Sequence, residues 1–158
     1  TPLNIEEFPQ YIDALDLIQR AVYRLAARHR TDADLAVIRE ASRDFSSRVV
    51  ANDALGMIAQ NVVFHVAIAS AGRNRLLTET YHRILVEGRR NLRLYYRSYG
   101  DTLPAGLATA HDAHVEAIAA RDEALAERLA HEHAVEVHQR FLHLLAQRNT
   151  QDFSVGYA

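Results

Sequence analysis

The 158 residues are 49% apolar, enough for one domain with a sizeable core and too apolar for a disordered chain. Eighteen basic against twenty acidic residues leave a net charge of −2, a near-balance that argues against a nucleic-acid-binding surface on this chain. Cysteine is absent, which excludes disulfides and thiolate metal sites and fits a cytoplasmic protein.

In chain order, TPLNIEEFPQ has neither the basic start nor the apolar run of a signal peptide, and residues 1–9 read as a lead-in. The first residue is Thr rather than Met, which points to a fragment or a processed product. Prolines fall only at Pro2, Pro9 and Pro104, so a long stretch is free of that breaker. Ile12, Leu15, Ile18, Val22 and Leu25 step by three and four and predict a first helix. Thr31 or Asp32 caps a second, with Leu35, Ile38, Phe45 and Val49 inward. Asp53 caps a third, which stops at Gly72. A fourth runs from about Arg73 to Tyr99 and ends in SYGDTLPAG; a fifth covers roughly Ala105 to Ala120. Asp122 caps a sixth that ends near Arg148, and 149–158 reads as a tail. No segment alternates with period two and no apolar run approaches the ~20 residues needed to cross a bilayer. The expectation is an all-α domain over residues 10–148, a single antiparallel bundle of six to seven helices.

QNVVFHVAIASAG, residues 60–72, is apolar almost all round yet carries Asn61 and His65 one turn apart. A buried amide and a buried imidazole each cost a few kcal/mol unless something satisfies them. The chain has nine histidines, and three of the predicted helices offer one that faces inward: His65 on the third, His111 or His114 on the fifth, and His131, His133 or His138 on the sixth. A lone histidine on an apolar helix is usually a satisfied core residue, but three converging helices change that balance, because bundle cores are a usual place to build metal sites. Asn61 and His65, at i and i+4, present two donors from one face. The pattern leaves the choice on the fifth and sixth helices open. HEHAV at 131–135 fails the HExxH requirement of a zincin, and only Glu79 to His82 has the Glu-x-x-His spacing that a di-iron bundle needs twice. No GxSxG, P-loop or dinucleotide fingerprint is present.

DALGMIAQNVVFH (53–65) resembles the metal-binding element of the FCD domain, the effector-binding C-terminal domain of FadR-like GntR transcription regulators. SAGRNRLL resembles that family's Gly-x-Asn-x-Leu-Leu turn, HDAHVEAIAARDEALAERLAHEH (111–133) its closing element, and YRLAARHRTDADL its early Leu-Ala-Ala-x-Arg-x-Thr element. The match runs from about residue 10 to 145. The resemblance implies metal ligands at Asn61, His65, His111 and His133, with His114 where the family has an aliphatic residue and His131 two residues before the ligand. It also implies a homodimer, a small organic acid as effector, and a winged-helix DNA-binding module outside this chain. Two departures stand out. The family's first ligand is usually Asp, so Asn61 brings no charge and metal affinity should fall; the site then holds its ion through three histidines and water, or stays empty as in metal-free members. Near Asp16 and Gln19 the family's Arg and Glu are missing, so effector contacts there do not transfer.

Imidazole-rich ligation suits Zn²⁺ or Ni²⁺ rather than Mg²⁺ or Ca²⁺, and open coordination positions would receive the carboxylate of the effector. On the fourth helix Arg89, Arg93 and Arg97 share a face (EGRRNLRLYYR). They read either as a solvated face or, for Arg89 and Arg93, as effector-binding cations, with Tyr95 and Tyr96 beside them. Two other readings compete: a stand-alone helical metalloenzyme of the DinB-like kind, which also uses three histidines but lacks a carboxylate placed as general base here, and a purely structural dimerisation bundle.

Overall fold

The structure is a computed structural model that describes residues 7–97 and 102–151. Within them the chain forms α1 (Phe8–His29), α2 (Asp32–Val50), α3 (Ala54–Ala71), α4 (Arg75–Arg97), a 3₁₀ turn (Ala105–Thr109), α5 (Asp112–Ala119) and α6 (Glu123–Gln151). The all-α bundle expected from the sequence is therefore what the chain folds into. α1 is the central helix: it packs most extensively on α6 and also meets α3, α4 and α5, while α2 lies along α3. Of the predicted α1 stripe Ile12, Leu15 and Val22 are buried and Ile18 and Leu25 half-buried, with Tyr23 and Ala26 buried beside them, while Leu35, Ile38, Phe45 and Val49 are all buried on α2.

The helix junctions share one local device. Asn52, Arg73 and Arg121 each adopt a left-handed backbone, with φ of 56°, 60° and 58°. Each is followed by a short polar residue that caps the next helix: Asp53 accepts from Gly56 N at 2.9 Å, Asn74 from Leu77 N at 3.1 Å, and Asp122 from Leu125 N at 3.0 Å. Arg121 accepts the cost of that conformation because its guanidinium donates to the carbonyls of Arg28 and Arg30, at 3.1 and 2.9 Å. Gly72 is a surprise in this scheme, since its own backbone is right-handed. What it supplies is space: a Cβ there would sit 3.0 Å from Leu25 Cβ and 3.1 Å from the Ala69 carbonyl, so the end of α3 would have to draw back from α1 by a few tenths of an ångström. The α1–α2 junction instead uses a reciprocal capping box between Thr31 and Asp34.

Three elements differ from the sequence reading. The predicted fifth helix is broken into a 3₁₀ turn and a short α5, separated by Ala110 and His111. Pro104 opens the segment and Ser46 Oγ donates to the Ala108 carbonyl at 2.5 Å, fixing the turn against α2 before a regular helix can start. α6 runs on to Gln151, beyond the expected end near Arg148, while residues 152–158 and 98–101 (SYGD) lie outside the described residues. Third, α3 is long and apolar enough by composition to cross a membrane, with a mean hydropathy of 1.5 over 18 residues. Here it is a core helix, burying Met57, Ile58, Val62, Phe64, His65 and Ile68 between α1, α2 and α4.

On the outer side α1 and α6 are laced by Arg20 to Glu127 (2.9 Å), Arg24 to Glu127 (2.9 Å) and Arg28 to Glu123 (2.7 Å). Such exposed pairs add little stability, but at successive turns they set the register in which Gln19 of α1 meets Ala130 of α6. On α4, Gly88 accommodates Tyr11, whose hydroxyl donates to the Ile84 carbonyl at 3.1 Å; a Cβ at 88 would fall 2.1 Å from the Tyr11 hydroxyl oxygen. Gly88→Ala is therefore expected to destabilise by about 1 kcal/mol, since overpacking of about 1–3 kcal/mol outweighs about 1 kcal/mol of helix propensity. Tyr11→Phe in the same chain should recover the loss. Urea denaturation of both variants checks this, and a Gly88→Ala protein more stable than wild type would refute it.

Candidate functional site

Four of the nine histidines converge on one cavity of about 660 Å³ inside the bundle. α3 delivers His65, with half-buried Asn61 one turn before it on the cavity wall. His111 stands at the start of α5 and His114 one turn on, so both face the same way; His133 comes from the middle of α6. His65, His111 and His114 are 1%, 2% and 5% exposed. Ring centres lie 5.4 Å apart for His65 and His111, 5.4 Å for His65 and His133, and 5.6 Å for His114 and His133.

Aromatic and polar groups hold these rings. His111 is sandwiched, stacked at 3.8 Å on Phe64 and lying 4.1 Å from Phe45. His114 meets the edge of Tyr23 at 5.3 Å. Tyr23 Oη lies 2.7 Å from His65 Nδ1, which leaves Nε2 as the nitrogen free for another partner. Behind them Tyr81 donates to Gln19 Oε1 at 2.7 Å, and Gln19 Nε2 donates to the Ala130 carbonyl at 2.8 Å, a chain linking α4, α1 and α6. The Nδ1 atoms of His111 and His114 are buried and have no hydrogen-bond partner among the described residues.

Burial dominates the electrostatics. It pushes His65 and His111 well below the ordinary imidazole range, with the neighbouring histidines adding repulsion. His114 is pushed down to about 3 by burial and then by His133. His133 falls to about 4, through burial and then the positive charge of Arg140. All four rings are consequently neutral near pH 7, the form that donates a lone pair to a metal. Burial also keeps the hydroxyls of Tyr23 and Tyr81 protonated.

By donor type these four imidazoles suit a divalent ion. With nitrogen about 2.1 Å from the ion, ring centres lie about 3.2 Å from it and about 5.3 Å apart at the tetrahedral angle, close to the His65–His111, His65–His133 and His114–His133 separations. Among the described residues, however, no group of three or more His, Cys, Asp or Glu side chains is already closed on one point. A turn of a ring about its Cβ–Cγ bond re-aims its nitrogens without moving its centre, so closing the set on an ion would require such turns. Ligating through Nε2, His65 would keep Nδ1 for its outer partner Tyr23, whereas Nδ1 of His111 and of His114 has no such partner among the described residues.

The cavity extends well past the histidines. Along α1 it is lined by Phe8, Tyr11, Leu15 and Gln19, a rise of about 16 Å at 1.5 Å per residue. Phe8 stacks on Phe141 of α6 at 3.9 Å at the far end. The cation on its wall is Arg140, which is ion-paired with Glu136. Neither Arg89, half-buried, nor Arg93, exposed, lines it, and the side chains of Tyr95, Tyr96 and Arg97 lie outside the described residues. His131 is exposed and pairs with Asp16 at 2.9 Å, His82, His29 and His143 are exposed, and His138 packs on Phe8. Sequence reasoning missed Arg140, which sits seven residues after His133 and thus on the same face of α6; that spacing was the available signal. It also missed Tyr23 and Tyr81, whose local pattern carries no signal of a site role.

A family model described as the FCD domain matches residues 10–136. The HTH-type transcriptional regulator LutR of Bacillus subtilis (strain 168) is 33% identical over 131 residues, which cover 80% of this chain and 59% of that protein. The chain thus spans less than two thirds of that relative's length. A solved structure of E. coli McbR/YncC superposes with a TM-score of 0.77 at 17% identity, covering 92% of this chain and 71% of the other, which shows a shared fold.

Proposed function

The chain belongs to the FCD domain family, and from that premise we propose that it is the effector-binding part of a GntR-type DNA-binding transcription regulator that senses an organic acid through a histidine-held metal. The observation that carries this reading is the joining of a neutral imidazole cluster to a long, largely apolar cavity. A regulator needs a site that binds and releases a small molecule, and the similarity to LutR gives that site its setting. DNA contact would come from a winged-helix module outside these residues, since this chain carries a net charge of only −2. A homodimer follows from the two-fold symmetry of the operators such regulators read, and the cytoplasm is where such a protein acts. The stand-alone metalloenzyme is not favoured, because the relative of known type is a regulator.

In this reading His65, His111 and His133 hold Zn²⁺ or Ni²⁺, with Asn61 beside them as a weak oxygen donor. The ion would supply an electrophilic anchor for the effector's carboxylate, and Arg140 a second cation on the same wall. Arg89 and Arg93 remain candidates for effector binding only if α4 moves to bring them to the cavity. A cavity of about 660 Å³ with Phe8 and Phe141 at its far end favours an acid with an apolar or aromatic body over acetate. Thermal-shift titrations of Zn²⁺-loaded protein should therefore rank phenylalkanoates above acetate and citrate. No stabilisation by any carboxylate, with or without metal, would overturn the sensor reading.

Asn61 provides the sharpest variant. With neutral ligands the ion keeps its full +2 charge, where an Asp would leave +1. Asn61→Asp is expected to raise Zn²⁺ affinity and to weaken carboxylate binding. A unit charge at ~4 Å is worth about 4 kcal/mol at an effective dielectric of 20, before desolvation takes its share, so shifts of 10-fold or more in each direction are on the order expected. Calorimetric titration of metal, then of acid, measures both, and unchanged affinities would place Asn61 away from the ion.

A further inference from the structure

We propose that His114 is itself a metal donor of this site, a fourth imidazole that takes over the ligation Asn61 supplies poorly. The proposal rests on the metal reading above and goes beyond the ligand set that the family resemblance implies, which puts an aliphatic residue at this position.

Three observations converge. His114 is 5% exposed and lines the same cavity as the other three rings, carried there because it lies one turn beyond His111 on the same face of α5. Its Nδ1 is buried with no hydrogen-bond partner among the described residues, a state that costs free energy unless another group engages that nitrogen. Its centre stands 5.6 Å from that of His133 at an interplanar angle of 87°, the same spacing that relates His65 to His111 and to His133. Packing alone gives no reason for an imidazole here: against the edge of Tyr23 a leucine or phenylalanine would serve without leaving a nitrogen orphaned.

The consequence is a change of ion preference. Three imidazoles and an amide oxygen make a mixed set, whereas four imidazoles make a uniform nitrogen set that favours Zn²⁺, Ni²⁺ or Cu²⁺ and discriminates more strongly against Mn²⁺ and Mg²⁺. A four-coordinate ion so held has no vacant position, so a carboxylate would enter by raising the coordination number or by displacing the weakest donor.

The test uses ¹⁵N-labelled protein, long-range ¹H–¹⁵N spectra of the imidazole side chains, and Zn²⁺ alone as the probe. Signals are assigned by their loss in single His→Phe variants, with exposed His131 as the internal control. On loading, the ring nitrogens of His65, His111, His114 and His133 should all move to metal-bound shifts while those of His131 stay. In calorimetry His114→Phe, which keeps an aromatic ring against Tyr23, should weaken Zn²⁺ by more than about 100-fold, beyond the usual loss of an outer-shell partner; Asn61→Ala should lose less. If His114 stays put while His65, His111 and His133 shift, the proposal fails and the metal reading survives. If Zn²⁺ moves none of the four, the metal reading fails and takes this one with it. The wild-type spectra decide the matter even if His114→Phe does not fold.

Discussion

Replacing Gln19 by leucine is expected to lower the melting temperature by about 6–12 °C, corresponding to about 3 kcal/mol for a domain of this size. Gln19 is 1% exposed and joins three helices, accepting from Tyr81 and donating to the Ala130 carbonyl. Leucine matches its volume roughly and adds apolar surface, so the loss is not one of packing. The Tyr81 hydroxyl, fully buried, would be left without an acceptor, at a cost of about 1–3 kcal/mol, and the loss of the Ala130 bond adds about 1 kcal/mol. Tyr81→Phe alone should cost less, because the Gln19 amide keeps its bond to α6. The double variant should fall well short of the sum of the two, since once the hydroxyl is gone the oxygen of Gln19 has less to lose. Additive losses in thermal or urea denaturation would show that the two side chains do not act together. Because Gln19 also lines the cavity, the single variant should weaken effector binding as well.

Gln19 also illustrates how far the sequence could be read. The helices were legible because their signals are local: Thr31, Asp53 and Asp122 are capping residues, and apolar positions recur at three and four. The break between the 3₁₀ turn and α5 was not, because it depends on Ser46 reaching across from α2 to the Ala108 carbonyl. Within the site, His65 stood out as a polar residue on an apolar helix, while His111 and His114 were indistinguishable by pattern, being on one face of one short helix. Their convergence with His133 depends on how α5 turns into α6, which no periodicity records. Arg140 went unread for a related reason: a basic stripe such as Arg89 and Arg93 is conspicuous in sequence, whereas an arginine two turns beyond the half-buried His133 is not. Gln19 fell where the family resemblance stopped transferring, yet its burial makes it a structural link of the site rather than a loss.

Acid should unfold the metal-free protein far earlier than its carboxylates alone would dictate. His65, His111, His114 and His133 are neutral in the fold with depressed affinities for protons, whereas in the unfolded chain each titrates near 6.5. Below that pH the unfolded state binds more protons than the folded one, so stability falls as pH falls. The contribution is fully present above about 6.5 and is lost down to about 4 for His133 and about 3 for His114. Each histidine contributes a slope of about 1.4 kcal/mol per pH unit within its window. Little offsets this: Tyr23 from α1 and Tyr81 from α4 stay protonated and carry no charge, Arg140 from α6 opposes protonation of His133, and the cavity carboxylates Glu132 and Glu136 belong to largely exposed residues. With several such slopes acting together against a total stability of about 5–15 kcal/mol, the midpoint should lie near pH 5. Bound Zn²⁺ adds stability at neutral pH and competes with the same protons, so the loaded protein starts higher, falls more steeply and meets the metal-free curve once the ion is released. Melting temperatures from pH 7.5 to 4.5, in chelator and in Zn²⁺, measure both curves. A metal-free curve that stays flat between pH 7 and 5 would mean that the imidazoles charge freely in the folded state, and hence that the cluster is open to water rather than buried in the bundle.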